Sequence, residues 1–88
     1  MSYKKIRIND KIKIVDRKKR IDIHVEDGDS ITLNNSASDF FRTLLKYKDI
    51  DKTISELADI YDISREELVA DANELIEYLE RYGVVLYE

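Results

Sequence analysis

The only imidazole in the chain belongs to His24, which stands between Ile23 and Val25 in a stretch of alternating apolar residues. Histidine is the usual proton shuttle and metal ligand near neutral pH. A metal site needs further imidazole or thiolate ligands, however, and the chain has no second histidine and no cysteine. We therefore expect His24 to occupy an exposed or half-exposed strand position, and the sequence predicts no metal site and no cofactor.

Paired carboxylates are the next candidates for chemistry, because two neighbouring acids can share acid and base roles. Glu66 with Glu67 and Asp27 with Asp29 form such pairs in the sequence. The first pair belongs to the acidic side of a predicted helix, where solvated carboxylates lack the burial that retunes a catalytic group. With only two glycines, the chain also offers no phosphate-binding loop or nucleophile elbow. The sequence predicts a protein that is not an enzyme.

The composition indicates one small domain over residues 1–88, with strands over about 5–34 and helices over about 36–82. The chain has 88 residues, 43% hydrophobic and 39% charged, and no proline, so it is too apolar for intrinsic disorder. Residues 1–35 hold nine Lys or Arg against six acids, whereas residues 36–88 hold six against thirteen. The lack of cysteine and of a long apolar run leads us to expect a cytoplasmic protein with no signal peptide and no membrane contact.

The first half of the chain alternates apolar and polar residues with the period of β-strands. The pattern predicts three antiparallel strands, with a charged hairpin tip between the first two and a tight turn around Gly28 before the third. A short leading strand precedes them. The predicted strands cover residues 12–16, 20–26 and 29–33, and the leading strand covers residues 6–8.

The second half switches to helical spacing and predicts three helices joined by short turns. Capping boxes or acidic caps mark where each helix begins. The first helix follows Ser36 and ends near Lys48, the second is capped by Asp51 and runs from Lys52 to Tyr61, and the third lies between its cap Ser64 and Gly83. Strands followed by helices indicate an α+β fold, with a small three-stranded antiparallel sheet followed by three helices in a winged helix-turn-helix-like arrangement.

The third predicted helix has more apolar residues than one packing face needs. At about 100° per residue they cover about half of the helix circumference. One flank of this arc is therefore available for a partner, or else it packs against the other two helices or a second copy of the chain, and the pattern alone favours neither. The residues of the arc are Leu68, Val69, Ala72, Leu75, Ile76, Tyr78, Leu79 and Tyr82.

The helix-turn-helix outline raises an alternative function, which is a winged-helix nucleic-acid-binding or transcriptional regulatory module. Phosphate contacts require Lys and Arg on the reading helix. Residues 64–82 instead carry six acids against Arg65 and Arg81, a net charge of −4. A basic hairpin tip at residues 17–20 is commonly a solubilising feature of an exposed turn. The charge pattern therefore ranks nucleic acid below a protein or peptide partner.

An open edge strand offers such a partner unpaired backbone groups. The segment Asp29–Leu33 contains no proline and no lysine, the residues that commonly block an edge. An extended peptide is able to pair with it, while the side chains of the peptide enter an adjoining apolar groove. If this strand lies beside the third helix, the surplus apolar flank of the helix forms the groove wall.

The later residues resemble the PqqD family, which is named for a pyrroloquinoline-quinone biosynthesis protein. The resemblance covers residues 29–88 and depends on the order and spacing of short apolar motifs. Ala72 departs from the pattern, since the family often has a larger aliphatic residue there, and the first hairpin is unusually basic, which suits an acidic partner. The matching motifs are Ser30-Ile31-Thr32-Leu33-Asn34, Thr53-Ile54 with Glu56-Leu57, Tyr61-Asp62-Ile63, Glu67 to Ala72, Leu75-Ile76 with Leu79, and Gly83-Val84-Val85.

This resemblance implies a recognition domain for ribosomally made precursor peptides that are modified after translation. It implies that the leader segment of the precursor adds as a strand to the edge formed by Ser30, Ile31, Thr32, Leu33 and Asn34, in the cleft beside the third helix. One flank of that helix offers Val69 and Ile76, and the other offers Asp71, Leu75 and Tyr78. The implied partners are the leader peptide and a modifying enzyme such as a radical SAM enzyme, a leader protease or a cyclase, with the domain a monomer or weak dimer.

Overall fold

The computed structural model describes residues 6–26 and 28–87 and shows an α+β fold. A three-stranded antiparallel sheet is followed by three helices, which confirms the predicted fold class. The leading strand is also present. In chain order the elements are β1 (Ile6–Ile8), β2 (Ile12–Asp16), β3 (Ile21–Val25), β4 (Ser30–Leu33), α1 (Asn35–Tyr47), α2 (Ile50–Tyr61), α3 (Arg65–Arg81) and β5 (Val85–Tyr87).

The three-stranded sheet has the order β2-β3-β4, with β3 in the centre. Ile23 of β3 lies opposite Ile14 of β2 and Ile31 of β4. Since side chains alternate between the two faces of a strand, this register gathers the isoleucines on one face. The predicted turn at 27–29 and the carboxylate pair of Asp27 and Asp29 both include Asp27, which lies outside the described residues.

Two of the three helices begin earlier than the sequence predicted. The side chain of Asn34, not of Ser36, accepts the Ala37 N–H at 2.9 Å and caps α1. Asp49, not Asp51, accepts the Lys52 N–H at 3.0 Å and caps α2. Asn34 and Asp49 have the extended backbone that an N-cap residue requires, whereas Ser36 and Asp51 already lie within the helices.

The third helix has the predicted boundaries. The Ser64 hydroxyl accepts the Glu67 N–H at 3.2 Å. The helix ends at Arg81, and Gly83 then takes a φ of 76°, a left-handed conformation that favours glycine. The chain thereby turns back toward the amino-terminal residues, with the Val84 N–H bonded to the carbonyl of Leu79 at 2.9 Å.

The strand β5 was not predicted, and it pairs with β1 in a second, two-stranded antiparallel sheet. Asn9 secures this junction. Its backbone N–H donates to the Val84 carbonyl at 2.9 Å, and its side-chain amide donates to the Gly83 carbonyl at 2.8 Å. The same side chain accepts the Lys11 N–H at 2.9 Å. One polar side chain therefore joins the two ends of the described chain.

The core lies between the inner face of the sheet and the three helices. Alternate residues of β3 and β4 face inward and meet the apolar faces of the helices. The central row of the α3 arc also belongs to this core. Its members include Ile21, Ile23, Ile31, Leu33, Phe40, Phe41, Leu44, Ile54, Leu57, Leu68, Ile76 and Leu79.

Candidate functional site

A groove of about 610 Å³ runs along one flank of α3. Its opposite wall comes from the start of α1 and the end of α2. Most of its lining is apolar, with polar groups at the margins, as is common for binding pockets of this size. The lining residues are Asn34, Ser36, Ala37, Phe40, Leu57, Tyr61, Ile63, Leu68, Asp71, Ala72, Glu74, Leu75 and Tyr78.

The two flanks of α3 that the sequence left open have different surroundings. Asp71, Leu75 and Tyr78 line the groove, with Leu75 and Tyr78 half-buried and Asp71 exposed. Ile76 is 2% exposed and belongs to the core, while Val69 is half-buried outside the groove lining. The structure therefore brings together one predicted set of helix residues and separates the other from the groove.

The side chains of β4 divide between the core and the outer face of the sheet. Ile31 and Leu33 are 5% and 2% exposed and pack inward. Ser30 and Thr32 are exposed and contact β3, with the Ser30 hydroxyl 2.6 Å from Nδ1 of His24 and the Thr32 hydroxyl donating to Asp22 at 2.9 Å. The side chains of Ile31 and Leu33 thus stabilise the sheet, and the functional potential of β4 lies in its backbone.

The outer edge of β4 presents the backbone groups of Ser30 and Thr32. Val25 N–H donates to the Asp29 carbonyl at 3.2 Å, and hydrogen-bonded pairs alternate with unbonded pairs in an antiparallel ladder. Odd-numbered residues of β4 therefore bond to β3, and the even-numbered ones direct N–H and C=O away from it. Within residues 6–26 and 28–87, the pairing partner of β4 is β3 alone.

Asn34 joins this edge to the groove. It directly follows β4, caps α1 through its side chain and also lines the groove. The strand edge therefore leads to the mouth of the groove without an intervening element. β2 has an unpaired outer edge in the described chain as well, but no residue of β2 lines the groove.

The sequence did not identify the second wall of the groove. Phe40 of α1 and Leu57 of α2 pack in the core and also line the groove. Tyr61 stands at the margin and is 44% exposed. Aromatic residues are enriched at binding surfaces. The tyrosine at the end of the second helix is therefore a signal in the sequence that could have indicated this wall of the groove.

A polar network connects Tyr61 with the basic hairpin tip. The Tyr61 hydroxyl donates to the Asp39 carboxylate, whose other oxygen accepts from Arg42 at 2.9 Å. Arg42 also donates two bonds of 2.7 Å to Asp16 at the end of β2. The Arg42 hydrogen bonds, together with the Lys18 N–H, lower the pKa of Asp16 to about 2. The bond to Asp39, with partial burial and the charge of Asp39, raises the pKa of Tyr61.

The two arginines of the hairpin tip itself are also paired. Arg17 donates to Asp22 at 2.7 Å, and Arg20 lies 3.9 Å from the same carboxylate. The hydrogen bond from Arg17, with a further one from Thr32, lowers the pKa of Asp22. The tip is thus partly neutralised, and none of its residues lines the groove.

His24 is exposed on the outer face of the sheet and is hydrogen-bonded to Ser30. In the part of the chain that is described, no group of three His, Cys, Asp or Glu residues is arranged to hold a metal ion. None of the helices in the described ranges is both long and apolar enough to span a bilayer.

The fold and the groove together define a small α+β domain with an open strand edge that leads into an apolar groove. The model of the family described as Coenzyme PQQ synthesis protein D (PqqD) matches residues 22–85. The chain belongs to this family, whose members are non-catalytic, peptide-binding partners of biosynthetic enzymes. Comparisons with curated proteins and with solved structures gave no match. The matched range begins within β3, so β1 and β2 lie outside it.

Proposed function

We propose that this domain binds the leader segment of a ribosomally synthesised precursor peptide by strand addition and presents it to a separate modifying enzyme. The observation that carries the proposal is the continuity of the outer edge of β4 with the apolar groove at Asn34. An extended peptide on this edge gains main-chain hydrogen bonds from Ser30 and Thr32. Its next side chains then lie over Leu75 and Tyr78.

The two parts of the site supply different kinds of binding energy. Main-chain pairing is independent of sequence, because every residue except proline offers the same N–H and C=O groups. The apolar groove supplies selectivity, since it buries particular side chains as anchors. Its volume of about 610 Å³ is within the range of pockets that enclose small ligands. A leader with one or two large apolar residues beyond its strand segment fits both parts.

The residues assigned to this site are the backbone of Ser30 and Thr32, Asn34 at the junction, and Asp71, Leu75 and Tyr78 on α3. Ile31 and Leu33 support the site from the core. Val69 and Ile76 are excluded from it, because neither lines the groove.

The domain acts by proximity in this proposal. A bound leader raises the concentration of the attached core peptide near the active site of the enzyme, without any chemistry by the domain itself. The enzyme is a radical SAM enzyme, a leader protease or a cyclase that works with the domain in the cytoplasm. The domain is a monomer or weak dimer, so that the groove remains open to the leader.

The test is a titration of the isotope-labelled domain with the leader peptide of the precursor encoded beside it. We expect amide shifts at residues 30–34 and along the groove side of α3. Shifts confined to other residues would refute this site assignment.

Leu75→Ala and Val69→Ala form a matched pair for the two flanks of α3, because both residues are half-buried and apolar. Leu75→Ala removes three carbon atoms of a side chain that is only partly exposed, so about one of them is available to the peptide. At about 0.8 kcal/mol per buried CH₂ group, binding should weaken by about 0.8 kcal/mol, or roughly fourfold. Val69→Ala should leave the dissociation constant unchanged. Equal weakening by the two variants, measured by isothermal titration calorimetry, would contradict the choice of flank.

A further inference from the structure

The groove combines an apolar floor with a negatively charged rim. Ala72, Leu68 and Phe40 are buried and form part of the floor. The exposed carboxylates of Asp71 and Glu74 lie at the rim. Among the described residues that line the groove, none is Lys, Arg or His. The groove is therefore apolar and negative, whereas the basic hairpin tip lies outside its lining.

The two rim carboxylates have no cationic partner within the described chain. The ion pairs of residues 6–26 and 28–87 do not include Asp71 or Glu74. Arg65, the arginine nearest to Asp71 in sequence, lies 4.0 Å from Asp51. Asp71 and Glu74 are three residues apart on one helix face, where like charges repel. A cation bound between them would relieve this repulsion.

We propose that the groove selects peptides in which a lysine or arginine follows or precedes an apolar anchor residue. This inference rests on the proposed function and specifies the class of peptide that the groove accepts. The apolar anchor enters between Leu75 and Phe40, and the cationic head pairs with Asp71 and Glu74. Lysine and arginine suit this position, because their aliphatic stems cover apolar surface while their charged heads remain at the rim.

The carboxylates act here as part of the groove and not as a separate site. Their charge decides between peptides that the apolar floor accepts equally well. Exposed ion pairs are individually weak, so the preference comes from two pairs that form together with burial of the anchor. The net negative charge of residues 36–88, with six Lys or Arg against thirteen acids, also favours the approach of a cationic peptide.

The test uses three short synthetic peptides that share one alternating apolar sequence and differ only at the position beside the anchor, which is lysine, glutamine or glutamate. Their dissociation constants are measured by fluorescence anisotropy at low and high salt. We expect the lysine peptide to bind about fivefold more tightly than the glutamine peptide at low salt, and the glutamate peptide to bind least tightly. High salt should reduce these differences.

Two double variants separate the local effect from the overall charge. Asp71→Asn with Glu74→Gln should make the lysine and glutamine peptides bind equally. Glu77→Gln with Glu80→Gln removes the same charge from α3 outside the groove lining, and it should preserve the preference for lysine. All four substituted residues are exposed, so both double variants should fold.

Equal binding of the lysine and glutamine peptides to the unmodified domain would overturn the charge preference and leave the peptide groove intact. An equal loss of preference in both double variants would also overturn it. Failure of all three peptides to bind would overturn this inference together with the proposed function. A groove filled by a second copy would give dimers in sedimentation velocity that Leu75→Arg dissociates, and this result would overturn both as well.

Discussion

Replacing Thr32 by proline should block strand addition while leaving the sheet of the protein intact. The Thr32 N–H points away from β3, because the odd-numbered residues of β4 make the ladder bonds. Proline lacks the N–H and is tolerated on edge strands where that group faces outward. The substitution therefore removes one donor that an incoming strand needs and none that β3 needs.

The expected effect on binding follows from the geometry of a strand pair. One lost main-chain hydrogen bond costs about 0.5–1.5 kcal/mol net. The proline ring also projects toward a neighbouring strand that must lie about 4.8 Å away. The dissociation constant of the leader peptide should therefore rise at least about tenfold, equivalent to about 1.4 kcal/mol or more.

The matched control is Thr32→Ala, which loses the same side-chain bond to Asp22 but keeps the N–H. Calorimetric titration with the leader peptide should show tight binding by Thr32→Ala and weak binding by Thr32→Pro, with similar thermal unfolding of both. Ser30→Pro, at the first residue of β4, tests the same edge if Thr32→Pro does not fold. Equal affinity of Thr32→Pro and Thr32→Ala would refute strand addition at this edge.

Two further predictions concern stability. Asn9→Ala removes the side-chain bonds to Gly83 and Lys11. It should lower the free energy of unfolding by roughly 1–3 kcal/mol and the melting temperature by at least about 5 °C. Asn9→Asp lacks the amide donor to Gly83, so wild-type stability of that variant would contradict this role of the Asn9 side chain. Asp16 has a folded pKa of about 2 against the ordinary 3.8, so its stabilising effect is complete above pH 3.8 and is lost as the pH falls toward 2. Urea midpoints of the wild type and Asp16→Asn should therefore converge over this interval, and a constant difference would exclude Arg42 pairing as the cause.

The sequence predicted the strands that have alternating side chains, and it missed the strand that depends on a distant partner. β2 and β3 carry isoleucine at alternate positions, and β4 carries Ile31 and Leu33, so that one face of their sheet is apolar. β5 has three residues and exists through pairing with β1 at the other end of the chain. Local periodicity contains no information about such a contact.

The residue at which α1 begins also could not be chosen from the local sequence. Asn34 and Ser36 are both good cap residues, and they stand two positions apart. The choice of Asn34 follows from its extended backbone at the end of β4. The first turn of α1 thereby brings Ser36 and Ala37 to the groove.

The choice between the flanks of α3 could not be made from the sequence, because it depends on where α1 and α2 pack. The apolar arc of α3 extends beyond its buried row on both sides, to Val69 on one side and to Leu75 and Tyr78 on the other. Phe40 and Leu57 approach the flank that contains Leu75, and their positions give the groove its second wall. The sequence shows both residues only as apolar positions of helices, so it does not reveal that they also line the groove.

The apolar residues of the α3 arc have two different surroundings. Ile76 and Leu79, which are 2% and 0% exposed, supply the core, whereas Leu75 and Tyr78 remain half-exposed beside the groove. Ala72 belongs to the buried row, at 1% exposed, and also contributes to the groove lining. A larger aliphatic residue there would occupy space in the groove or overpack the core. If the groove binds the leader as proposed, a small residue at position 72 leaves room for the peptide, and core packing and binding then share Leu68 and Ala72 on the same helix.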